Sequence, residues 1–299
     1  MIKILILGST GMLGNQITKV LSNRFTVIEA NRTGIPVVTK NRSFKIDARN
    51  IESIINVFEK GDDFDYVLNC IGSIKQLISQ SSQSVQNAIY LNALLPHALD
   101  ELSKQHDFRV IQICTDCVFS GELGGSSENT PHDAIDIYGK TKSLGEVESK
   151  NTMNIRCSIV GKEINSSNSL LDWFLARPTN SKVVGYTNHF WNGVTTLHFS
   201  RVVQALILNN NFNPGTFHLI PADQISKHGL LSVFAEEYNR MDVEIEPIDM
   251  KIKVDRTLKT LHPELNNRMW SGAGYSSPPS IKNMINELRI QNETEKLYD

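Results

Sequence analysis

The stretch that most narrows what this chain can fold into is Lys3-Ile4-Leu5-Ile6-Leu7 followed at once by Gly8-Ser9-Thr10-Gly11-Met12-Leu13-Gly14, after which apolar residues recur at three and four positions through Leu21. An aliphatic run without polar alternation predicts a strand buried on both faces. When such a strand turns directly into an amphipathic helix, the chain has to cross over and lay down a parallel neighbour. Gly8 interrupts the apolar run too early for a signal peptide or a membrane span.

The same alternation continues to about residue 160. Strands are predicted at Lys3–Leu7, Phe25–Ala30, Ser43–Ile46, Tyr66–Cys70, Arg109–Cys114 and Asn154–Cys157, and helices at Met12–Leu21, Ile51–Phe58, Val85–Leu102 and Tyr138–Ser149. Strands and helices in strict turn describe a doubly wound parallel sheet, an α/β fold of the Rossmann type. With 299 residues and 40% hydrophobic content, the chain fills such a core without metal or disulfide support. Beyond residue 160 the order loosens: Asn165 to Asn168 and Asn209 to Pro214 are polar and turn-rich, with apolar segments at Thr216–Ile220 and Leu230–Tyr238. The expected organisation is a nucleotide-binding domain over 1–160, rejoined by a segment around 195–210, and a smaller, interleaved substrate lobe over 161–299. Asn292–Asp299 reads as a frayed polar tail.

Charge and cysteine usage exclude several classes of function. Thirty basic and 32 acidic residues give a net charge of −2 with no run of one sign, which argues against nucleic-acid and membrane partners; any phosphate has to be met locally. Cys70, Cys114, Cys117 and Cys157 show neither zinc nor disulfide spacing, so no metal is expected and a reducing, cytoplasmic setting fits.

The glycines of Gly8–Gly14 are spaced G-x-x-G-x-x-G between a strand and a helix, where a tight turn lets backbone N–H groups and the helix N-terminus face a pyrophosphate. A dinucleotide loop is therefore expected, with Gly8, Thr10, Gly11, Met12, Leu13 and Gly14 against the cofactor. The second strand ends in Glu29-Ala30-Asn31-Arg32. Arg32 favours a ribose 2′-phosphate and hence NADPH, with Glu29 as a rival ribose ligand that would admit NADH. Asp47, beside Ala48, is positioned either to accept from an adenine amino group or to cap the helix at Ile51. Cys70-Ile71-Gly72 closes the fourth strand with small groups along the cofactor, Cys70 reading as packing rather than as a nucleophile.

Tyr138 and Lys142 lie four residues apart, on one helical face. A free phenol ionises near about pH 10, so it needs a neighbouring ammonium to serve as an acid or base at neutral pH, and Lys142 supplies one. Thr115, closing the fifth strand, is placed to bond the substrate oxygen that Tyr138 protonates.

Thr115-Asp116-Cys117-Val118-Phe119-Ser120-Gly121, then Glu128, then Tyr138-Gly139-Lys140-Thr141-Lys142-Ser143-Leu144-Gly145-Glu146 resembles the pattern S-T-D-Y-V-F-x-G…E…Y-G-x-(S/T)-K-x-x-G-E of dTDP-4-dehydrorhamnose reductases, a group of extended short-chain dehydrogenases. The resemblance extends through Leu91-Asn92-Ala93, Ile155-Arg156-Cys157-Ser158 and, loosely, Gly215–Ser226. It implies a catalytic trio of Thr115, Tyr138 and Lys142, with Asn92 and Cys157 beside the cofactor and Asp116 and Val118 beside the substrate. It also implies reduction of the 4-keto group of a nucleotide-linked 6-deoxyhexose, with a homodimer as a candidate assembly. Three departures bear on the substrate: Cys114 replaces the usual Ser, Cys117 the usual Tyr, and His189-Phe190-Trp191-Asn192-Gly193-Val194-Thr195-Thr196 a segment usually closer to Q-x-G-x-P-T. Trp191 and Asn192 become candidates to stack on or bond the sugar nucleotide, against a packing role for Trp191. An NAD-retaining sugar-nucleotide epimerase and a non-catalytic, nucleotide-binding regulatory subunit are the alternative readings.

Overall fold

In the computed structural model, which describes residues 1–296 apart from 39, 61, 165 and 166, four strands laid down by the first half of the alternating pattern already define the functional edge. Strand β1 (Lys3–Leu7) leads into helix α1 (Met12–Leu21), then β2 (Thr26–Asn31), β3 (Arg42–Lys45), α2 (Ile51–Glu59) and β4 (Tyr66–Asn69). Ile4 to Leu7 are fully buried, as a strand covered on both faces requires. β1 pairs in parallel with both β2 and β4, so the chain winds outward in one direction and then reverses. That reversal opens a crevice at the carboxyl ends of β1 and β4, where doubly wound sheets bind ligands.

The second half of the sheet is built from α3 (Ser82–Ile89), α4 (Leu95–His106), β5 (Arg109–Cys114), α5 (Ile137–Leu144) and β6 (Thr152–Arg156). The single helix expected over Val85–Leu102 is two helices joined by a π turn at Tyr90–Leu94, a feature frequent at functional sites. The helix expected over Tyr138–Ser149 stops at Leu144. A Cβ on Gly145 would overlap the Asn92 carbonyl oxygen, so the chain can pass this close to the π turn only as glycine, and it then turns to bring Glu146 onto Arg156.

The remaining elements are β7 (Ile159–Val160), α6 (Leu170–Leu175), β8 (Lys182–Tyr186), β9 (His189–Trp191), β10 (Val194–Thr195), α7 (Thr196–Leu208), β11 (Gly215–His218), β12 (Ile225–Ser226), α8 (Lys227–Glu237), β13 (Glu244–Ile248), β14 (Val254–Asp255), α9 (Pro263–Gly272) and α10 (Ile281–Lys296). β11 joins β6 in parallel and completes a seven-stranded sheet in the order β11-β6-β5-β4-β1-β2-β3, while α7 packs along α1, with Gln204 Nε2 donating to the Val20 carbonyl at 2.8 Å. Three small sheets lie outside the seven-stranded one among the described residues: β10-β7, β12-β9-β14 and the parallel pair β13-β8. Residues 292–296 belong to α10 rather than to a frayed tail, held by Lys19 Nζ to Glu295 at 2.7 Å; residues 297–299 lie outside the described residues. Among the described residues no helix is long and apolar enough to cross a membrane.

Candidate active site

The glycine loop is shaped by close backbone contacts. Gly8 has φ +84, which L side chains rarely adopt, and a Cβ there would meet Ile71 Cγ1 at 2.9 Å. A Cβ on Gly14 would overlap the Gly8 carbonyl oxygen, so α1 can seat against the end of β1 only through glycine. Gly11 is the N-cap of α1, is exposed, and offers no capping side chain, leaving the first turn's N–H groups facing the crevice beside the half-buried Thr10 and Met12; Leu13 is buried beneath. A helix terminus built this way suits a pyrophosphate. Opposite, Cys70 N donates to the Leu7 carbonyl at 3.0 Å, placing Cys70-Ile71-Gly72 on the far side of the crevice. Burial pushes the Cys70 thiol up to about 12, in keeping with packing rather than nucleophilic chemistry.

Around β2 the structure separates the rival ribose ligands. Glu29 is fully buried, and its carboxylate accepts from Val37 N at 2.7 Å, Val38 N at 3.1 Å and Asn41 Nδ2 at 3.1 Å. It ties down the loop after β2. Asn31 holds the turn from inside, donating to Ser9 Oγ at 2.9 Å and accepting from Thr33 N and Gly34 N. Arg32 is exposed just past the end of β2. Asp47 does not cap α2, which is capped by Asn50; it pairs with Arg49 at 2.7 Å, whose hydrogen bonds hold its carboxyl down to about 2. Ala48 is buried beside it.

Helix α5 delivers Tyr138 because its start is pressed against the turn that follows β5. Asp136 caps it, accepting from Gly139 N at 2.8 Å, and a Cβ on Gly139 would overlap the Cys117 carbonyl oxygen. That contact brings the phenol to Thr115. Burial raises the Tyr138 pKa well above its ordinary value, the adjacent Cys117 adds to the rise, and the hydrogen bond with Thr115 opposes it. Lys142 is buried, and its Nζ donates to the Ile113 carbonyl at 2.8 Å. Burial is the largest influence on the phenol, and Lys142 is not among the leading ones. Asn92, on the π turn, accepts from Ser73 N at 2.8 Å and donates to Ser73 O at 3.0 Å and Thr141 Oγ1 at 3.1 Å, fastening α5 to the loop after β4.

The chain matches, over residues 2–292, the family described as the RmlD substrate binding domain. It belongs to that family. A curated relative, the dTDP-4-dehydrorhamnose reductase of Aggregatibacter actinomycetemcomitans, is 26% identical over 151 residues, covering 49% of this chain and 46% of that protein, so the match spans about half the relative's length. Among solved structures, a dTDP-4-dehydrorhamnose reductase from Clostridium acetobutylicum aligns with TM-score 0.76 at 20% identity, over 98% of this chain and 100% of the other. The reductase from Bacillus anthracis, solved in complex with NADP, aligns with TM-score 0.76 at 18% identity, over 97% and 99%. At these identities the structural likeness is one of fold.

Within this RmlD-family fold, the residues expected at the substrate divide. Asp116 is buried beside Thr115, whose Oγ1 donates to it at 3.2 Å, and burial raises its carboxyl. Val118, expected to touch substrate, is fully buried against Phe119 and Leu258, which makes its side chain packing. Asn192, expected to bond the sugar, spends its amide on Leu258, donating to O and accepting from N at 2.8 Å each. Trp191 is half-buried against the main core. Cys157 is buried past the end of β6, where burial raises its thiol. Two cations that carried no motif are Arg256 after β14, whose Nη1 lies 3.9 Å from Cys117 Sγ, and the half-buried Lys227 at the start of α8. More than 80 residues separate each from Tyr138, so no local spacing announced them.

Proposed function

We propose that this protein is an NADPH-dependent reductase acting on the 4-keto group of a nucleotide-linked 6-deoxyhexose. The observation that carries this reading is that the buried Tyr138 phenol sits by Thr115 at the carboxyl end of β5, with Lys142 anchored to Ile113 of the same strand, two strands from a glycine loop that suits a dinucleotide pyrophosphate. Gly8, Gly11, Met12, Gly14 and Arg32 would hold the dinucleotide, with Ile71, Gly72, Asn92 and Cys157 along its length. When bound, the reduced nicotinamide supplies the hydride. Tyr138, kept protonated by burial, gives its phenolic proton to the oxygen of the ketone. Thr115 orients that oxygen through its hydroxyl, and the Lys142 ammonium, steadied on Ile113, offsets the phenolate charge left behind. Family membership and the NADP complex of the Bacillus anthracis reductase support this assignment.

Purified protein supplied with NADPH and a panel of 4-keto-6-deoxyhexose nucleotides should consume the cofactor in equal amount to the ketone. A protein that carries tightly held NAD and interconverts sugar epimers with no cofactor added would support the epimerase reading. One that binds NADPH yet reduces no member of the panel would support the regulatory reading.

A further inference from the structure

Tyr138 stands on the first turn of α5, and two ties join this helix to the loop after β4 that borders the glycine crevice. The inner tie runs through Asn92, which bonds both backbone groups of Ser73 and the hydroxyl of Thr141. The outer tie is direct. Lys75 Nζ lies 2.7 Å from Asp136 Oδ2, while Asp136 Oδ1 accepts from Gly139 N as the cap of α5. The two ties meet the chain at 136 and 141 and so bracket Tyr138. Among the described residues, the Lys75 bond is the one side-chain hydrogen bond from residues 74–80 to α5 or its cap.

Both ends of the outer tie are held in place. Lys75 opens a short 3-10 turn in which Leu77 N donates to the Ile74 carbonyl at 2.9 Å and Ile78 N to the Lys75 carbonyl at 3.3 Å. Beyond it, Ser79 N donates to Ser84 Oγ of α3 at 2.9 Å. Burial alone would raise the Asp136 carboxyl, but the Gly139 N–H and the Lys75 ammonium hold it below its ordinary value. On its other side α5 already rests on the Cys117 carbonyl at Gly139, so a pull from Lys75 presses the helix start against a fixed wall. Proton transfer from Tyr138 needs the phenol within hydrogen-bond reach of a ketone that also faces the cofactor, and a shift of about 1 Å between loop and helix would spoil that alignment. The pair adds little to global stability, because its side chains are 54% and 34% exposed; its effect is on position.

We propose that Lys75 is a positioning residue: through Asp136 it fastens the loop after β4 to the start of α5 and so sets the Tyr138 phenol against the cofactor side of the crevice. The effect on turnover rests on the reductase reading above; the fastening does not, so the test reads each separately. Hydrogen exchange in the full chain, without substrate, follows the amides of Leu77 and Ile78 and those of Gly139 and Lys140. Lys75→Met and Asp136→Asn should each speed exchange in both segments by about 3- to 10-fold, the reach of a part-exposed ion pair, and leave β1 and β5 as they were. Asparagine still caps the helix, so Asp136→Asn removes the tie alone. With NADPH and the reducible sugar nucleotide both saturating, kcat should fall by about the same factor in each variant, with the thermal midpoint unmoved. The double variant should lose no more than either single one, and Lys75→Arg should behave as the unmutated protein. Charges acting on the phenol itself would instead move the pH profile of kcat in opposite directions in the two variants. Unchanged exchange in both single variants, or additive losses in the double one, overturns the fastening. Opposite shifts of the pH profile, or faster exchange with kcat unmoved, overturn the positioning role. Faster exchange in a protein that reduces no 4-keto sugar nucleotide leaves the fastening standing while the reductase reading falls.

Discussion

At the residue scale, the proposed proton donor and the proposed cofactor discriminator are single side chains with separable effects. Removing the phenolic oxygen in Tyr138→Phe leaves the ring against the turn at Cys117 and takes away only the acid. We expect kcat to fall by about 10² to 10⁴, the usual worth of general acid catalysis, with thermal stability and NADPH affinity retained. Turnover at the unmutated rate under single-turnover conditions would remove Tyr138 from the mechanism. Arg32 is exposed, and Glu29 is committed to Val37, Val38 and Asn41, which leaves the arginine as the proposed discriminator at the ribose. Arg32→Ala should therefore bring the kcat/KM values for NADPH and NADH closer together, by roughly tenfold for one lost charge-assisted contact. A protein that uses the two cofactors equally before mutation would show that Arg32 meets no 2′-phosphate.

At the element scale, glycines set how closely helices approach the sheet. Gly14 seats α1 on the Gly8 carbonyl, and Gly145 lets the end of α5 pass the Asn92 carbonyl on the π turn. Replacing Gly14 by Ala forces α1 outward from the end of β1, a steric cost on the order of 1–3 kcal/mol, and shifts the helix N-terminus that the pyrophosphate would meet. Gly14→Ala should lower the urea midpoint and weaken NADPH binding together. Gly11→Ala is the comparison: a Cβ there meets only the Gly8 carbonyl oxygen at 3.4 Å, so the midpoint should hold while cofactor affinity changes. If both variants bound NADPH like the unmutated protein, the glycine loop would not be the phosphate site.

At the scale of the whole molecule, one buried arginine joins the chain just past α5 to β11, the edge strand of the sheet. Arg156 donates to Glu146 past α5 (Nε to Oε1 at 3.0 Å), bonds His132 Nε2 at 2.9 Å and His218 Nε2 at 2.6 Å, and lies 5.2 Å from the Phe119 ring centroid. His218 Nδ1 in turn bonds the Lys259 carbonyl at 2.6 Å, and Glu128 accepts from His218 N and Leu261 N. Both rings must be neutral to accept from Arg156. Burial accordingly pushes His218 down from 6.5 to about 4, with the Arg156 charge adding to it, and burial lowers His132 as well. A histidine depressed on folding contributes stability that is complete above its ordinary value of 6.5 and is lost as pH falls toward 4. The urea midpoint should therefore hold above that value and drop between 6.5 and 4, His218 contributing on the order of 1–3 kcal/mol. His218→Gln, which keeps an acceptor but cannot titrate there, should be less stable at neutral pH and show a shallower acid decline. An equal slope in the variant would place the acid sensitivity elsewhere, with His198, also pushed by burial to about 4, the next group to replace.

What the sequence determined by itself was whatever local periodicity and spacing encode. The parallel sheet followed from aliphatic runs alternating with amphipathic ones, β1, α1 and β5 falling on the very residues expected. The glycine loop and the Tyr138–Lys142 face followed from contacts fewer than eight residues apart. Tertiary structure decided what depends on distant partners. It broke one helix into α3, a π turn and α4 so that Asn92 could reach Thr141, and it recruited β11 to the sheet. It turned Glu29, Asn192 and Val118 from expected ligands into ties and packing, because each had polar or apolar partners that only folding brings near. It also carried Arg256 to Cys117 across more than a hundred residues of chain, past a strand too short for a period to register, and it set the Tyr138 proton by burial, a property of the folded environment that no spacing of residues encodes.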